Sequence, residues 1–416
     1  MNRYGNEMND LRVIDNTGDF DAICRIWREI GWMDKDDESE PIRDWLNECA
    51  GVCGELRGQV EGFGIRRPGS LHYDGVDISL SLVAAVSVSR IARGVGLGSR
   101  ATARLVHDAA VEGKSVSMLG VFDTGYYDRL GFGTGANQRF VTVDPADLLV
   151  PRLSRQPIRL GNADSKRMHA NRLARLKVHG APSFDGVGAT AGEIIWVDNG
   201  FGVGFEGDDG RLTHHMMLEA KGEHGPYKVV WMAYETRQQA IELLSVIASW
   251  RDQVHGVRMP EPVGIELQSL LKAPFRRWRT TQKGDFDHKP ESYPWWQMRI
   301  LDVPACMAAV RVDGEPVRFV LKLTDPIVEH LGSAATWRGA GGTYVITLGS
   351  ASSAVPGSHD SMPTMTASVG AFTRLWMGVA SASALAVTDD LTAPPQLLQT
   401  LDRRWRLPTP VVDWDC

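Results

Sequence analysis

Five cysteines in 416 residues (Cys24, Cys49, Cys53, Cys306 and Cys416) are too few, and odd in number, for a disulfide-built scaffold. Buried thiols are expected instead. Cys49 and Cys53 stand in CxxxC spacing without a second cysteine pair, so no metal site is expected. No apolar run reaches the roughly 18 residues of a membrane-spanning helix. Residues 1–11 are polar, carry Glu7 and Asp10, and have no apolar signal core. These absences predict a cytoplasmic protein with no membrane partner. Positive charge is not in excess: 45 Lys and Arg against 51 Asp and Glu leave a net charge of −6. That argues against nucleic acid as the main partner and suits a cationic substrate. A GxSxG nucleophile elbow is also missing. Ser358-His359-Asp360-Ser361 supplies triad residue types only as chain neighbours, which cannot form a triad with one another. His214 and His215 would lie on opposite faces of a strand and make poor joint ligands.

What is present is ordinary globular sequence, 43% hydrophobic and 23% charged, over a length that needs more than one core. Hydrophobic spacing predicts a first helix with Phe20, Ile23, Trp27 and Ile30 on one face, capped by Thr17 or Asp19. A second short helix holds Trp45 and Leu46. Strands are expected over 60–65, 76–82 and 83–88, then a glycine loop, a helix over 97–112 and a strand over 115–122. Ala101, Leu105, Val106 and Ala109 share one face of that helix. Pro151 and Pro157 mark a linker. A second α/β unit follows, with strands over 193–197, 202–205 and 229–234 and a helix capped by Thr236. Residues 276–293 are charged and polar, as in a surface connection. Strands over 296–301, 318–323 and 343–348, a loop over 350–361, and helices over 369–385 and 395–405 make an α+β domain. The expected division is 1–150, 151–291 and 292–416.

The strand over 83–88 runs into Arg93-Gly94-Val95-Gly96-Leu97-Gly98-Ser99 and then a helix. Helix N-termini present unpaired N–H groups and partial positive charge. Glycines let a diphosphate approach those amides, and Arg93 adds a charged donor. The spacing is one residue short of GxGxxG, and no lysine follows as a kinase-type P-loop requires. Arg93, Gly96 and Gly98 instead fit [Arg/Gln]-x-x-Gly-x-Gly/Ala, and here the chain resembles the GCN5-related N-acetyltransferases. Downstream, Tyr126-Tyr127-Asp128-Arg129-Leu130-Gly131-Phe132-Gly133 fits the aromatic-x-x-x-Gly-[Phe/Tyr] stretch of that superfamily, in the expected order.

The form Tyr127-x-Arg129-x-Gly131-Phe132-Gly133 resembles a narrower group, the enhanced intracellular survival (Eis) acetyltransferases of actinobacteria. The resemblance extends over the whole chain. It implies tandem acetyltransferase-like α/β domains followed by a sterol-carrier-protein-like α+β domain. Residues 158–290 carry no Arg-x-x-Gly-x-Gly. Their nearest stretch, 200–204, lacks a basic residue and runs into Glu206, Asp208 and Asp209, which suits a second domain without cofactor. Residues 296–305 resemble the entry to the third domain. Pro408, Pro410 and Trp414-Asp415-Cys416 resemble the family's chain end, whose carboxylate reaches into the catalytic domain.

The resemblance implies an acetyl-CoA-dependent N-acetyltransferase acting on primary amines, either aminoglycoside-like polyamines or lysine side chains. Val86, Val88, Arg93, Gly94, Gly96, Gly98, Ser99 and Phe122 would bind acetyl-CoA. An alkyl ammonium, with pKa about 10.4, must lose its proton before it can attack a thioester. The Cys416 carboxylate would take that proton, with Asp415 reinforcing the field. A backbone N–H near Val86 would serve the oxyanion, and Tyr127 would protonate the departing thiolate. Tyr126 would point to the opposite side if the backbone there is extended. Trp32 and Trp414 would line the amine site, and no metal is required. The resemblance further implies a homo-oligomer, a hexamer built from trimers. Gly94 replaces a second basic residue, Phe122 a small polar one, and Cys416 a large apolar one, which bears on donor and acceptor choice. Alternatives are a non-catalytic acyl-CoA-binding regulator, an acyltransferase for a natural-product amine using another acyl donor, and a lipid-binding protein using residues 292–416.

Overall fold

The structure is a computed structural model that describes residues 11–34, 40–121, 125–273 and 288–414. The chain forms two compact units. One comprises Met1–Ala136, His179–Asp185 and Pro294–Cys416; the other comprises Asn137–Val178 and Gly186–Tyr293.

The first unit is built on a mixed sheet. Its strands run in the order Arg12–Val13, Ala50–Leu56, Gln59–Tyr73, Val76–Val88, Val116–Gly120, Trp296–Ile300, Gly133–Thr134. Pro182–Phe184 adds to Gln59–Tyr73. Helix Leu97–Val111 covers one face, burying Leu97, Ala101, Leu105, Val106 and Ala109, the stripe its spacing predicts. Helix Phe20–Ile30 buries Phe20, Ile23, Cys24, Ile26 and Trp27 and ends at Gly31, whose φ of 81° suits a left-handed C-cap. Asp19 stands at its N-cap position but makes no side-chain cap bond. Its carboxylate instead accepts from the Arg12 guanidinium and the Asp15 N–H.

A five-stranded sheet in the same unit has the order Ser353–Pro356, Gly342–Leu348, Val317–Thr324, Thr364–Ser368, Leu391–Thr392. One continuous apolar cluster joins Leu80, Leu82 and Met118 of the first sheet to Trp296, Phe319, Phe372, Trp376 and Trp414. The helix expected over 369–385 is two helices, Val369–Trp376 and Ala382–Thr388. Gly378, at φ 69°, breaks it, and Ser381 caps the second piece through the Ala384 N–H. The loop expected over 350–361 contains strand Ser353–Pro356, paired to Gly342–Leu348.

The second unit has a seven-stranded sheet, ordered Lys289–Tyr293, Gln138–Val143, Val257–Pro260, Tyr227–Tyr234, Leu212–Glu219, Gly200–Glu206, Ile158–Leu160. Helix Arg237–Ser249 packs Ala240, Leu243, Leu244 and Ile247 into its core. The strand expected over 193–197 is instead the end of helix Val187–Ile195. Its β-branched residues read as strand, but Ala189, Thr190 and Ile194 bury at helical spacing, so packing overrides propensity. The charged connection over 276–293 ends in strand Lys289–Tyr293. Chain order and sheet order diverge at both joins: 138–143 pairs in the second unit's sheet, and 296–300 pairs in the first unit's sheet. No helix among the described residues is long and apolar enough to cross a membrane.

Candidate functional site

The site begins where two parallel strands separate. Val76–Val88 pairs with Val116–Gly120 only through Leu80–Val116, Ser81–Ser117 and Leu82–Met118. Val76–Val88 then runs on to residue 88 with partners on Gln59–Tyr73 alone. Within that free stretch the register shifts between Phe63 and Ile65, so Ala85 and Val86 both face Gly64. Ala85 takes φ 53°, a left-handed conformation uncommon outside glycine. This β-bulge re-aims the backbone around Val86 beside the gap. The sequence marks it only weakly, because alanine carries no turn signal.

The strand leads through Ser89 and a short turn, Arg90–Ala92, into the glycine loop. Gly94 and Gly96 take φ of 82° and 83°, which their lack of Cβ permits. Gly96 is the N-cap of helix Leu97–Val111, with no side-chain cap bond and no acid in the first turn. The first-turn N–H groups, which have no acceptor within a helix, therefore face outward beside the exposed Arg93. Such a terminus suits a phosphate.

Gly98 is glycine for a different reason. A Cβ there would lie 2.5 Å from the Tyr126 hydroxyl oxygen. That oxygen accepts a hydrogen bond from Ser99 Oγ at 3.3 Å. The segment is a turn, not extended, with Tyr127 at φ −84°, ψ −16°. The expected opposite orientation of the two tyrosines therefore does not occur, and their rings pack edge to face at 4.8 Å. Tyr127 is buried between Phe132 and the helix's apolar face, and burial holds its phenol well above the usual range. Tyr126 is half-buried, with the Arg129 guanidinium 5.3 Å above its ring. The side chain at the loop is thus Tyr126, which spacing alone did not single out.

Other expected site residues fall as follows. Val86 and Val88 lie on the free stretch of strand, half-buried. Trp32 is 53% exposed just beyond the first helix, tilted against Trp27. Trp414 is fully buried, edge-on to Phe184 at 5.5 Å. The segment before it is fixed by the Val411 N–H donating to the His179 carbonyl at 2.9 Å. Phe122, Asp415 and Cys416 lie outside the described residues. Among the described residues no group of three His, Cys, Asp or Glu could hold a metal ion.

The second unit repeats the pattern of separating strands without the loop. Tyr227–Tyr234 and Val257–Pro260 pair in parallel only at Tyr227–Val257 and Lys228–Arg258. Beyond that, the Tyr234 hydroxyl bonds to the Val263 carbonyl at 3.1 Å. The helix that follows is closed by a capping box: Thr236 Oγ1 accepts the Gln239 N–H, and Gln239 accepts the Thr236 N–H. This helix start, not the 200–204 stretch, is the counterpart of the glycine loop; 200–204 lies in strand Gly200–Glu206.

A family model described as sterol carrier protein domain matches residues 303–413. No curated protein matches the sequence. A conserved protein from Enterococcus faecalis V583, described as a probable N-acyltransferase, is 16% identical, with TM-score 0.78 over 98% of this chain and 100% of that one. A GCN5-related N-acetyltransferase from Kribbella flavida is 17% identical, with TM-score 0.73 over 98% of each chain. Eis1 from Mycobacterium abscessus is 15% identical, with TM-score 0.74 over 98% of this chain and 100% of that one. The chain has the fold shared by Eis1 and the GCN5-related N-acetyltransferase of Kribbella, with a sterol carrier protein domain in its C-terminal part.

Proposed function

We propose that this protein transfers an acetyl group from acetyl-CoA to a primary amine. One observation carries the reading. A strand freed from its parallel neighbour, and bulged at Ala85, leads directly into an uncapped, glycine-started helix N-terminus. Such an arrangement supplies strand amides for a pantetheine arm and helix amides for a diphosphate, on one continuous piece of chain. On this reading Val86 and Val88 run beside the arm, and Phe122 is proposed as a further cofactor-binding residue. Arg93, Gly94, Gly96, Gly98 and Ser99 surround the diphosphate. The three-part division of the chain into 1–150, 151–291 and 292–416 belongs to the same proposal.

The amine must reach the thioester neutral, and at pH 7 on the order of one alkyl amine in a thousand is neutral. A carboxylate removes that proton, and the Cys416 carboxylate, with Asp415 beside it, is the proposed base. The amine nitrogen bonds to the thioester carbon, charge develops on its oxygen, and the N–H near Val86 stabilises it. The C–S bond then breaks, the thiolate takes a proton from the Tyr127 phenol, and the nitrogen, on becoming the amide, gives up its surplus proton, which restores the phenol. A phenol is protonated at neutral pH at its ordinary pKa; burial raises that of Tyr127 further, which makes it a weaker acid toward the thiolate. Trp32 and Trp414 are proposed to border the amine. The acceptor class, aminoglycoside-like polyamines or lysine side chains, and the hexameric assembly are carried by the Eis resemblance; a cytoplasmic location is proposed from the lack of a long apolar run in the sequence.

Thiol release from acetyl-CoA with a panel of amines, including aminoglycosides and lysine peptides, tests the proposal. Product mass should rise by one acetyl group. Binding of acetyl-CoA without release on any amine would make the protein a regulator instead. A chain ending at Trp414 should keep acetyl-CoA binding and lose turnover.

A further inference from the structure

The glycine-rich stretch after the tyrosines is shaped from the C-terminal half of the same unit. A Cβ on Gly135 would sit 2.2 Å from the Trp296 ring, and one on Gly133 would sit 2.5 Å from the Gly370 carbonyl. Gly131, at φ 79°, would meet Val369, Arg299 and Asp325 within 3.0 Å. These three glycines thus make room for residues 296–299, 325 and 369–370.

The contacts around them are polar and directional. Strand Trp296–Ile300 lies between Val116–Gly120 and Gly133–Thr134, hydrogen-bonded to both. The Gly135 N–H donates to the Trp296 carbonyl at 3.0 Å. Gln297, fully buried, donates its amide to Asp128 Oδ1 at 2.7 Å and to Thr134 Oγ1 at 3.0 Å. The Arg299 guanidinium donates to the Leu130 carbonyl and to the Asp325 carboxylate. That ion pair is withdrawn from solvent, its side chains 0% and 1% exposed. Asp325 also accepts the Ala340 N–H at 2.8 Å and the Ile327 N–H at 3.2 Å. Its negative charge is therefore held rigidly behind Arg299. A buried ion pair needs such further hydrogen bonds to be tolerated; here the Asp325 carboxylate has three donors, while Arg299 Nε has no hydrogen-bond partner.

We propose that Gln297, Arg299 and Asp325 are positioning residues that clamp the tyrosine turn, residues 126–131, at the acyl-CoA site. The inference rests on the acyl-transfer reading for its consequence, not for its geometry. Two arms, one at Asp128 and one at Leu130, grip opposite ends of the short turn Asp128–Leu130 that follows Tyr127. Strand Trp296–Ile300, backed by Asp325 of the sterol carrier region, would then serve transfer chemistry by fixing Tyr126 and Tyr127, with no lipid required.

Asp128 is exposed, so its substitution leaves packing intact. In the full-length chain, Asp128→Ala should lower kcat about tenfold while KM for acetyl-CoA stays within about twofold, as a displaced reacting group predicts. Asp128→Asn, which keeps the oxygen acceptor, should restore kcat. Amide hydrogen exchange across 126–131 should quicken in Asp128→Ala and in Arg299→Lys, and not in Asp128→Asn. Unchanged exchange in both Asp128→Ala and Arg299→Lys would overturn the clamp, as would a kcat for Asp128→Ala equal to that of the unsubstituted protein. Absence of thiol release from the unsubstituted protein would sink the acyl-transfer reading alone, since the exchange measurement still decides the clamp.

Discussion

At the scale of single residues, adjacent tyrosines occupy different surroundings. Tyr126 touches the helix start through Ser99 and stands where a side chain at Gly98 would go. Tyr127 lies in the core with its phenol raised by burial. Gly98→Ala should raise KM for acetyl-CoA, because the new methyl pushes the Tyr126 hydroxyl off the loop. In a Tyr126→Phe background the same substitution should have a much smaller effect, since the colliding oxygen is gone. Equal effects in both backgrounds would show that Gly98 is glycine for the cofactor's approach and not for Tyr126. Tyr127→Phe should lower kcat by about a hundredfold, the lower end for loss of a general acid. A Tyr127→Phe enzyme with unaltered kcat would remove that phenol from the proton path. The sequence announces Tyr127 through its motif. It does not announce Tyr126, because turn geometry at 126–127, not residue type, brings that ring to the loop.

At the scale of elements, two helices following two separating strands differ at their first turns. One starts at Gly96 without a cap, and the other closes with the Thr236–Gln239 box. Thr236→Ala should therefore cost about 1 kcal/mol of stability, the usual value for a lost N-cap, in denaturant unfolding. A cost near zero would mean that the box contributes little. The stripe on helix Leu97–Val111 and the Thr236 cap were both legible in the sequence, since they follow from local spacing and capping chemistry. Four features were not. Helix Val187–Ile195 hid behind β-branched residues, and its identity is set by what it packs on. The bulge at Ala85 depends on a cross-strand register that one strand cannot reveal. Gly133 reads as part of a cofactor motif, yet a Cβ there would meet Gly370, and one on Gly135 just beyond the motif would meet Trp296, both more than 150 residues away. Non-local pairing of 296–300 beside 116–120 is likewise invisible to periodicity, which reports faces and not partners.

At the scale of the whole molecule, burial sets how stability depends on acidity. His179 in the first unit, and His214 and His215 in the second, all have lowered pKa values, and burial is the main cause at each. His214 falls to about 4 and His215 to about 3. The form of His215 is also dictated by its neighbours. Trp231 Nε1 can only donate, so Nε2, 3.0 Å away, must be unprotonated; Nδ1 then donates to Asn171 Oδ1 at 2.7 Å. Below about pH 6.5 an unfolded histidine binds a proton that the folded one refuses. The unfolded chain then holds more protons, so stability is full above that pH and falls as acid is added. The loss continues through the window down to about 4 for His214 and about 3 for His215. Each imidazole contributes a slope of up to about 1.4 kcal/mol per pH unit. Urea unfolding at pH 7.5, 6 and 5 should show stability already lower at pH 6 and falling more steeply from pH 6 to pH 5. His215→Gln, whose amide offers both a donor and an acceptor, should shed most of one imidazole's slope between pH 6 and 5. An identical slope in the His215→Gln protein would mean that this ring is protonated in the native state as readily as in the unfolded chain.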